Sequence, residues 1–273
     1  MTGDIRAQEE EELELEMFFA PEETVTSAAR HAQDIGMSPS AITVITREEI
    51  EASGATSIPD LLRLVPGMDV VLCSPFYTSV STRLYWNFEN NLFLVLVDGR
   101  EANLELIGWA PWEIEPINLE EIERIEVIRG PASSLYGANA FAGVINITTR
   151  PITDQASGWV RMNGGEIGML SGAAQASARI GDWGVSISGG RDLMGRFTDP
   201  RLPGKEVWKF RSIVEYRLSE SDRLLLDWGI SQGEGATTSA MGTVNFEMDM
   251  KVLRLAYKSE NLDGQIFWSM AGA

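Results

Sequence analysis

The stretch Arg129–Arg150, which reads RGPASSLYGANAFAGVINITTR, decides the fold of this chain. It follows a strand-like run, Arg124–Ile128, and it ends in a second run, Val144–Ile147, in which apolar and polar residues alternate. A Gly-Pro break closes the first run, and Ala132–Tyr136 predict one helical turn before the next glycine. The stretch therefore predicts a compact strand–turn–strand unit.

Three further motifs precede this unit. Ala41–Ile50 indicates a strand followed by a helix, because Thr46 and Glu49 have the spacing of a capping box. Gly54–Gly67 predicts a second helix that a Pro-Gly pair ends, and Leu94–Arg100 predicts an apolar strand closed by an Asp-Gly turn. Short strands and helices in this order predict a small mixed α/β domain with a modest core.

The pattern changes after Pro151. The clearest segment, Trp208–Leu218, alternates apolar and charged residues with a period of two, and about seven such segments fall between residues 158 and 272. Periodicity alone leaves two structures open: a membrane β-barrel, or a soluble antiparallel sandwich in which the apolar face packs on a core. In a barrel, aromatic residues near the segment ends would form interfacial girdles; these residues are Trp159, Trp183, Trp208 and Trp268.

Composition excludes several classes of function. The chain has 273 residues and a formal net charge of -18, which disfavours nucleic-acid binding through the bulk field. One cysteine, Cys73, and one histidine, His31, exclude an intramolecular disulfide, a cysteine zinc cluster and a His-rich metal site. No phosphate-binding loop or nucleophile motif is present. We therefore expect no catalytic residues, no metal and no cofactor.

Taken in order, the four motifs resemble the plug domain of TonB-dependent outer-membrane receptors. The resemblance implies an α+β plug domain followed by antiparallel transmembrane β-barrel strands. The barrel is expected to be incomplete in this chain, because receptor barrels with a plugged lumen have about 22 strands. The implied division is an acidic leader (1–21), a TonB-box segment and linker (22–40), the plug domain (41–150) and the N-terminal part of the barrel (151–273). The implied location is the bacterial outer membrane, although Met1–Ala20 lacks the features of a signal peptide.

The resemblance also implies roles for individual residues. A TonB box would pair, as an added strand, with the energy-transducing protein TonB; the alternative is an ordinary linker. The box residues are Glu23, Thr24, Val25, Thr26 and Ser27. Two plug arginines, Arg83 and Arg129, would lock the plug to barrel glutamates. The residues of the plug motif itself are Asp98, Gly99, Gly130, Tyr136, Gly137 and Asn146.

Clustered aromatic residues are candidates for ligand contacts, and the alternative is that they pack against the inner barrel wall. They are Tyr77, Tyr85, Trp86, Trp109 and Trp112. The resemblance implies a receptor that imports a scarce nutrient, such as a ferric siderophore or cobalamin, and that is surrounded by outer-membrane lipid. The alternative function is a soluble or detached plug-derived ligand-binding module without transport.

Overall fold

The computed structural model of this chain describes residues 24–25, 33–34, 41–82, 92–104, 108–130, 136, 140–166, 168–195, 204–239, 242–259 and 262–272. Two short strands come first, β1 (Thr24–Val25) and β2 (Gln33–Asp34), and they pair antiparallel. We use "plug domain" for residues 41–150. Its elements are β3 (Ala41–Ile45), α1 (Arg47–Ala52), α2 (Ile58–Leu62), β4 (Met68–Ser74), β5 (Tyr77–Thr82), β6 (Phe93–Val97), β7 (Arg100–Glu101), a 3-10 turn (Leu119–Glu121), β8 (Ile122–Arg129) and β9 (Gly143–Thr149).

The two helices begin where the sequence predicts. The Thr46 hydroxyl accepts the backbone N–H of Glu49, and the Glu49 carboxylate accepts the backbone N–H of Thr46 at 2.9 Å, so the predicted capping box is confirmed. The Ser57 hydroxyl caps α2 by accepting the N–H of Asp60 at 3.3 Å. Such caps satisfy backbone donors that the first helical turn leaves without partners.

A five-stranded sheet forms the centre of the plug domain, in the order β3-β8-β9-β6-β7. The β6–β9 pair is parallel, and the other pairs are antiparallel. The predicted strand–turn–strand unit is confirmed in its two strands, β8 and β9. Of the predicted helical turn between them, only Tyr136 lies among the described residues. Apolar side chains from the helices and the sheet share one core, which includes Ile50, Leu61, Leu62, Ile122, Ile125 and Ile145.

Seven long strands follow, as predicted, and each pairs antiparallel with the next along the chain. They are β10 (Ser157–Gly164), β11 (Leu170–Ile180), β12 (Trp183–Met194), β13 (Lys205–Arg217), β14 (Arg223–Ser239), β15 (Gly242–Lys258) and β16 (Asp263–Gly272). We call this sheet the wall, and we call the side that contacts the plug domain its inner face. The described strands form an open sheet, with β10 and β16 at its edges.

The two faces of the wall differ in chemistry. Large apolar side chains are exposed on the outer face, among them Val160, Met162, Ile187, Leu226, Trp228, Leu255 and Ile266. The inner face carries charged, hydroxyl and glycine residues together with a few buried apolar side chains, such as Val207 and Met250. A soluble sandwich would bury its apolar face, whereas a lipid-facing wall exposes it. Among the described helices, none has the length and apolar character needed to cross a bilayer.

One aromatic prediction is wrong. Trp159 does not lie on the outer face with Trp183 and Trp208, because it shares the inner face of β10 with Arg161. Its indole Nε1 donates to the Gln175 side chain at 2.6 Å. The reason is the period of two along the strand: Val160 and Met162 take the outer positions, so odd-numbered residues of β10 face the plug domain.

Candidate functional site at the contact between plug and wall

The Asp98-Gly99 turn between β6 and β7 reaches the inner face of the wall. Asp98 has a positive φ of 49° and Gly99 one of 80°, as a tight turn at this point requires. The Asp98 carboxylate accepts the Thr149 backbone N–H at 2.9 Å and the Thr149 hydroxyl at 2.8 Å. A Cβ atom on Gly99 would lie 2.8 Å from Nε2 of Gln265 on β16, so the turn reaches that strand; the positive φ is what favours glycine at this position.

Three charged side chains on adjacent wall strands face this turn. Arg211 on β13 donates through Nε and Nη2 to the two Asp227 carboxylate oxygens, at 2.9 and 2.7 Å. Arg254 on β15 donates to the same carboxylate at 3.3 and 3.1 Å. The three residues are only 3–5% exposed. Two parallel N–H···O bonds from one guanidinium fix orientation as well as charge.

The two arginines hold Asp98 directly. Arg211 Nη2 donates to the Asp98 carboxylate at 2.9 Å, and Arg254 Nη1 donates to the Asp98 backbone carbonyl at 3.0 Å. We call these two arginines and two aspartates the Asp98 clamp (Asp98, Arg211, Asp227 and Arg254); Arg211 Nη1 also lies 3.6 Å from a buried carboxylate oxygen of Glu121. Burial alone would raise the pKa of Asp98, but the two guanidinium groups and the Thr149 hydrogen bonds lower the pKa to about 2. Asp98 is therefore ionised at neutral pH.

A second plug segment, residues 109–118, lies flat against the inner face. Its carbonyls accept from the wall: Ser231 Oγ donates to Ile114, and Lys209 Nζ donates to Ile117 at 3.2 Å. Glycines on β14 make room for it. A Cβ atom on Gly229 would lie 2.9 Å from Cγ of Pro116, a separation that a real Cβ does not adopt. The plug and the wall therefore contact each other through backbone as well as through charge.

A cavity of about 110 Å³ lies beside this segment, between α2 and the first four wall strands. Glu113 lines it and is 8% exposed; its Oε1 accepts the Thr78 hydroxyl at 2.9 Å. Burial raises the pKa of the Glu113 carboxyl, against the opposing effect of the Lys205 and Lys209 ammonium groups and of the Thr78 hydrogen bond. The packed segment therefore retains the Glu113 proton to a higher pH than an unpacked segment does.

This shift predicts pH-dependent packing of residues 109–118. A raised carboxyl pKa means that the packed state is favoured at low pH and loses stability as pH rises through that pKa. We expect hydrogen exchange of this segment, corrected for intrinsic rates, to increase with pH in the wild type. Glu113→Gln, which stays neutral, should remove that dependence, whereas Glu123→Gln at an exposed site should keep it. Equal slopes for wild type and Glu113→Gln would contradict the assignment.

The structure places the aromatic candidates against the wall. Tyr77 and Trp109 are 9% and 7% exposed, have ring centroids 5.6 Å apart, and share an apolar cluster with wall residues of β13 and β15. Trp112 is buried in the plug core and lines the cavity. This arrangement favours the packing alternative for these three residues, and their role in ligand contact stays a prediction. Tyr85 and Trp86 lie outside the described residues.

The other predicted site residues are dispersed. Arg129 donates to the Pro66 carbonyl and, at 3.1 Å, to the Thr43 hydroxyl, so its described hydrogen bonds lie within the plug domain. Asn146 donates to Glu126 at 3.2 Å, and Gly130 has a φ of 118°. Among the TonB-box residues, only the backbone of Thr24 and Val25 is described. Arg83, Gly137, Glu23, Thr26 and Ser27 lie outside the described residues.

Sequence reasoning missed the partners of Asp98. Alternation along the strands puts Arg211 on the polar side of Trp208–Leu218, and Asp227 and Arg254 opposite apolar residues, but it gives none of them a role. The available signal was the charge itself, because charged side chains that become buried at a packed contact are costly unless paired. The pairing needs strand register, which aligns Asp227 with Arg254 and sets Arg211 diagonally from Asp227.

Comparisons with known proteins agree with this architecture. Residues 34–144 match the family described as TonB-dependent Receptor Plug Domain. The iron-regulated outer membrane virulence protein of Vibrio cholerae is 39% identical over 153 residues, which are 52% of this chain and 22% of that protein. The vitamin B12 transporter BtuB of Photobacterium profundum is 27% identical over 252 residues, which are 88% of this chain and 41% of the transporter. The chain thus spans less than half the length of these relatives.

Solved structures show the same fold. Pseudomonas aeruginosa FpvA bound to heterologous pyoverdines superposes with a TM-score of 0.71 at 16% identity, covering 91% of this chain and 36% of FpvA. The copper transporter OprC gives a TM-score of 0.66 at 18% identity, covering 84% of this chain and 37% of OprC. The predicted fold class and the bacterial outer-membrane location are confirmed. Residues 34–144 thus match the plug domain of TonB-dependent receptors, and the described chain as a whole shares the fold of these two solved structures.

Proposed function

We propose that this chain is part of a TonB-dependent importer that binds a scarce nutrient chelate outside the cell and passes it inward when TonB remodels the plug. The observation that carries the proposal is the Asp98 clamp, which joins a plug domain to the polar inner face of a wall whose outer face is apolar. A contact held by buried ion pairs keeps the passage shut, and an applied force can open it. No bond of the solute is made or broken at this chain, so the import is transport without catalysis.

The names of the relatives support two classes of substrate, a ferric siderophore and cobalamin. The Vibrio relative is named as iron-regulated, and the Photobacterium relative is named as a vitamin B12 transporter. We propose that this importer takes one of these two classes. Tyr77 and Trp109 are buried, so neither ring has much surface free to meet a substrate. This supports a first contact with the substrate made by other residues.

The experiment is nutrient uptake in cells that lack their own receptors for these compounds. The receptor is produced from its complete gene, with and without TonB, and is supplied with radiolabelled ferric siderophores or cobalamin. We expect uptake of one class, only when TonB is present, and heat-modifiable migration of the receptor in the outer-membrane fraction. A protein that fractionates as soluble and gives no uptake would instead be the plug-derived binding module.

The TonB box can be tested by one substitution. β1 is already extended and pairs with β2, Thr24 opposite Asp34 and Val25 opposite Gln33, which supports pairing of the same segment with a strand of TonB. Val25→Pro removes a backbone donor from that ladder, so TonB-dependent uptake should fall to the level of cells without TonB. Ala29→Pro, outside the box, is the control. Full uptake by Val25→Pro would assign TonB binding to another segment.

A further inference from the structure

The chain passes from the plug domain to the wall through residues 150–156, which we call the junction. Ile152 in the junction is 7% exposed. A Cβ atom on Gly184 of β12 would lie 3.0 Å from Cγ2 of Ile152, so glycine at this position lets the junction lie directly on the wall. The junction is therefore docked on the inner face, although it contains no helix or strand before β10.

One buried arginine organises this docking. Arg179 on β11 has a side chain that is 4% exposed; its Nη2 donates to the Ile152 carbonyl at 3.1 Å and to the Glu215 carboxylate on β13. Its Nε lies 3.0 Å from Asp154 Oδ1, and Arg217 Nη2 donates to the same oxygen at 3.0 Å. A single guanidinium thus ties both the backbone and a side chain of the junction to two wall strands.

The junction follows the last strand of the plug domain, whereas the predicted TonB box precedes its first strand along the chain. A force applied at residues 23–27 reaches the domain through β3, the edge strand of its sheet, which pairs with β8 alone. Residues 143–149 form β9, which is paired on both sides, and the junction follows directly. The strand that receives the force first, β3, is therefore paired with one neighbouring strand. The last strand, β9, is paired with two, and the junction that follows it is held by the wall.

We propose that Arg179 is a positioning residue that keeps the C-terminal end of the plug domain fixed to the wall while TonB acts on its N-terminal end. The inference rests on the proposed function, because it requires a force from TonB. Its consequence is that the plug opens without leaving the lumen as a unit, so that only solutes of limited size pass.

The test compares passage of a large hydrophilic dye into cells with and without active TonB. Arg179→Met should increase dye passage several-fold over wild type only when TonB is active. Arg179→Lys keeps a charge but loses the planar set of guanidinium donors, so its dye passage should lie between that of wild type and that of Arg179→Met. Arg191→Met removes an exposed wall arginine that pairs with Glu206, and it should match wild type. Dye passage by Arg179→Met that is equal without TonB, or absent in both strains, would overturn the proposal.

A covalent replacement separates positioning from folding. In a Cys73→Ser background, Asp154→Cys and Arg217→Cys are joined by a short thiol crosslinker in the Arg179→Met receptor, and we expect crosslinking to restore the wild-type barrier. Continued dye passage after complete crosslinking would overturn the proposal. If the Arg179→Met receptor does not insert into the membrane, Asp154→Asn replaces it, because the Asp154 side chain is 72% exposed and tolerates the change. Asp154→Asn should give a smaller increase in TonB-dependent dye passage. No increase would count against the proposal. Nutrient uptake by wild type reports separately on the proposed function.

Discussion

Replacing Arg211 by Met is expected to loosen the plug domain more than any other single change at the wall. The substitution leaves Asp98 without its closest cation and Asp227 without two hydrogen bonds, in a site that is almost fully buried. Removing one partner of a buried ion pair typically costs about 3–5 kcal/mol, because an uncompensated charge stays behind. We expect a loss of this size in the free energy of plug unfolding, measured by denaturant titration of the receptor with fluorescence detection.

Two variants make that expectation specific to the Asp98 clamp. Arg211→Met with Asp98→Asn leaves Arg254 and Asp227 as a neutral pair, so part of the stability should return, with a coupling of about 0.5–3 kcal/mol. Arg191→Met removes an exposed arginine and should change stability by about 0–1 kcal/mol. If the losses in free energy of unfolding from Arg211→Met and Asp98→Asn simply add in the double variant, Arg211 and Asp98 do not act together.

Gly235→Val should cause the next largest loss of stability at the contact between plug and wall, through a steric clash instead of a lost ion pair. A Cβ atom on Gly235 of β14 would lie 2.5 Å from Cβ of Phe76, and Phe76 is a buried residue at the turn between β4 and β5. Because Cβ of Phe76 is close to the backbone, the whole turn must move to accept the new side chain. Overpacking of this kind costs about 1–3 kcal/mol, and more when the backbone has to shift.

The matched control is a wall glycine with free space around it. Gly264 on β16 has no atom within 4 Å of its Cβ position, so Gly264→Val should leave plug docking unchanged. Hydrogen exchange of β4 and β5 measures the difference, and it should be faster in Gly235→Val alone. Similar exchange in the two variants would mean that the plug does not approach β14 as closely as described.

Much of the fold could be predicted from local patterns. The Thr46 and Glu49 spacing marked the start of α1, because caps act within a few residues. The Pro-Gly pair at residues 66 and 67 only bounded α2, which already ends at Leu62. Alternation identified seven wall strands, because it is also a local pattern. Trp159 shows the limit of this approach, since its place near a strand end suggested a girdle, whereas the period of two assigned it to the inner face.

The candidate site was less accessible to sequence reasoning. Asp98 was identified through its motif, but its partners lie 113 and 156 residues further along the chain. Their meeting depends on strand register and on how the plug docks, and no local pattern encodes either. The wall glycines that face the plug domain were missed for the same reason, because Gly229 and Gly235 look like ordinary strand interruptions until Pro116 and Phe76 are placed against them.

A charge swap at the Asp98 clamp tests the account most directly, with conductance of the complete receptor in planar bilayers as the measurement. Asp98→Arg places a third guanidinium beside Arg211 and Arg254, so we predict an open or flickering pore where the wild type is closed. Adding Arg211→Asp restores opposite charges at the contact and should close the pore again. A pore that stays closed in Asp98→Arg, or that stays open in the swapped receptor, would contradict the claim that this clamp holds the plug in place.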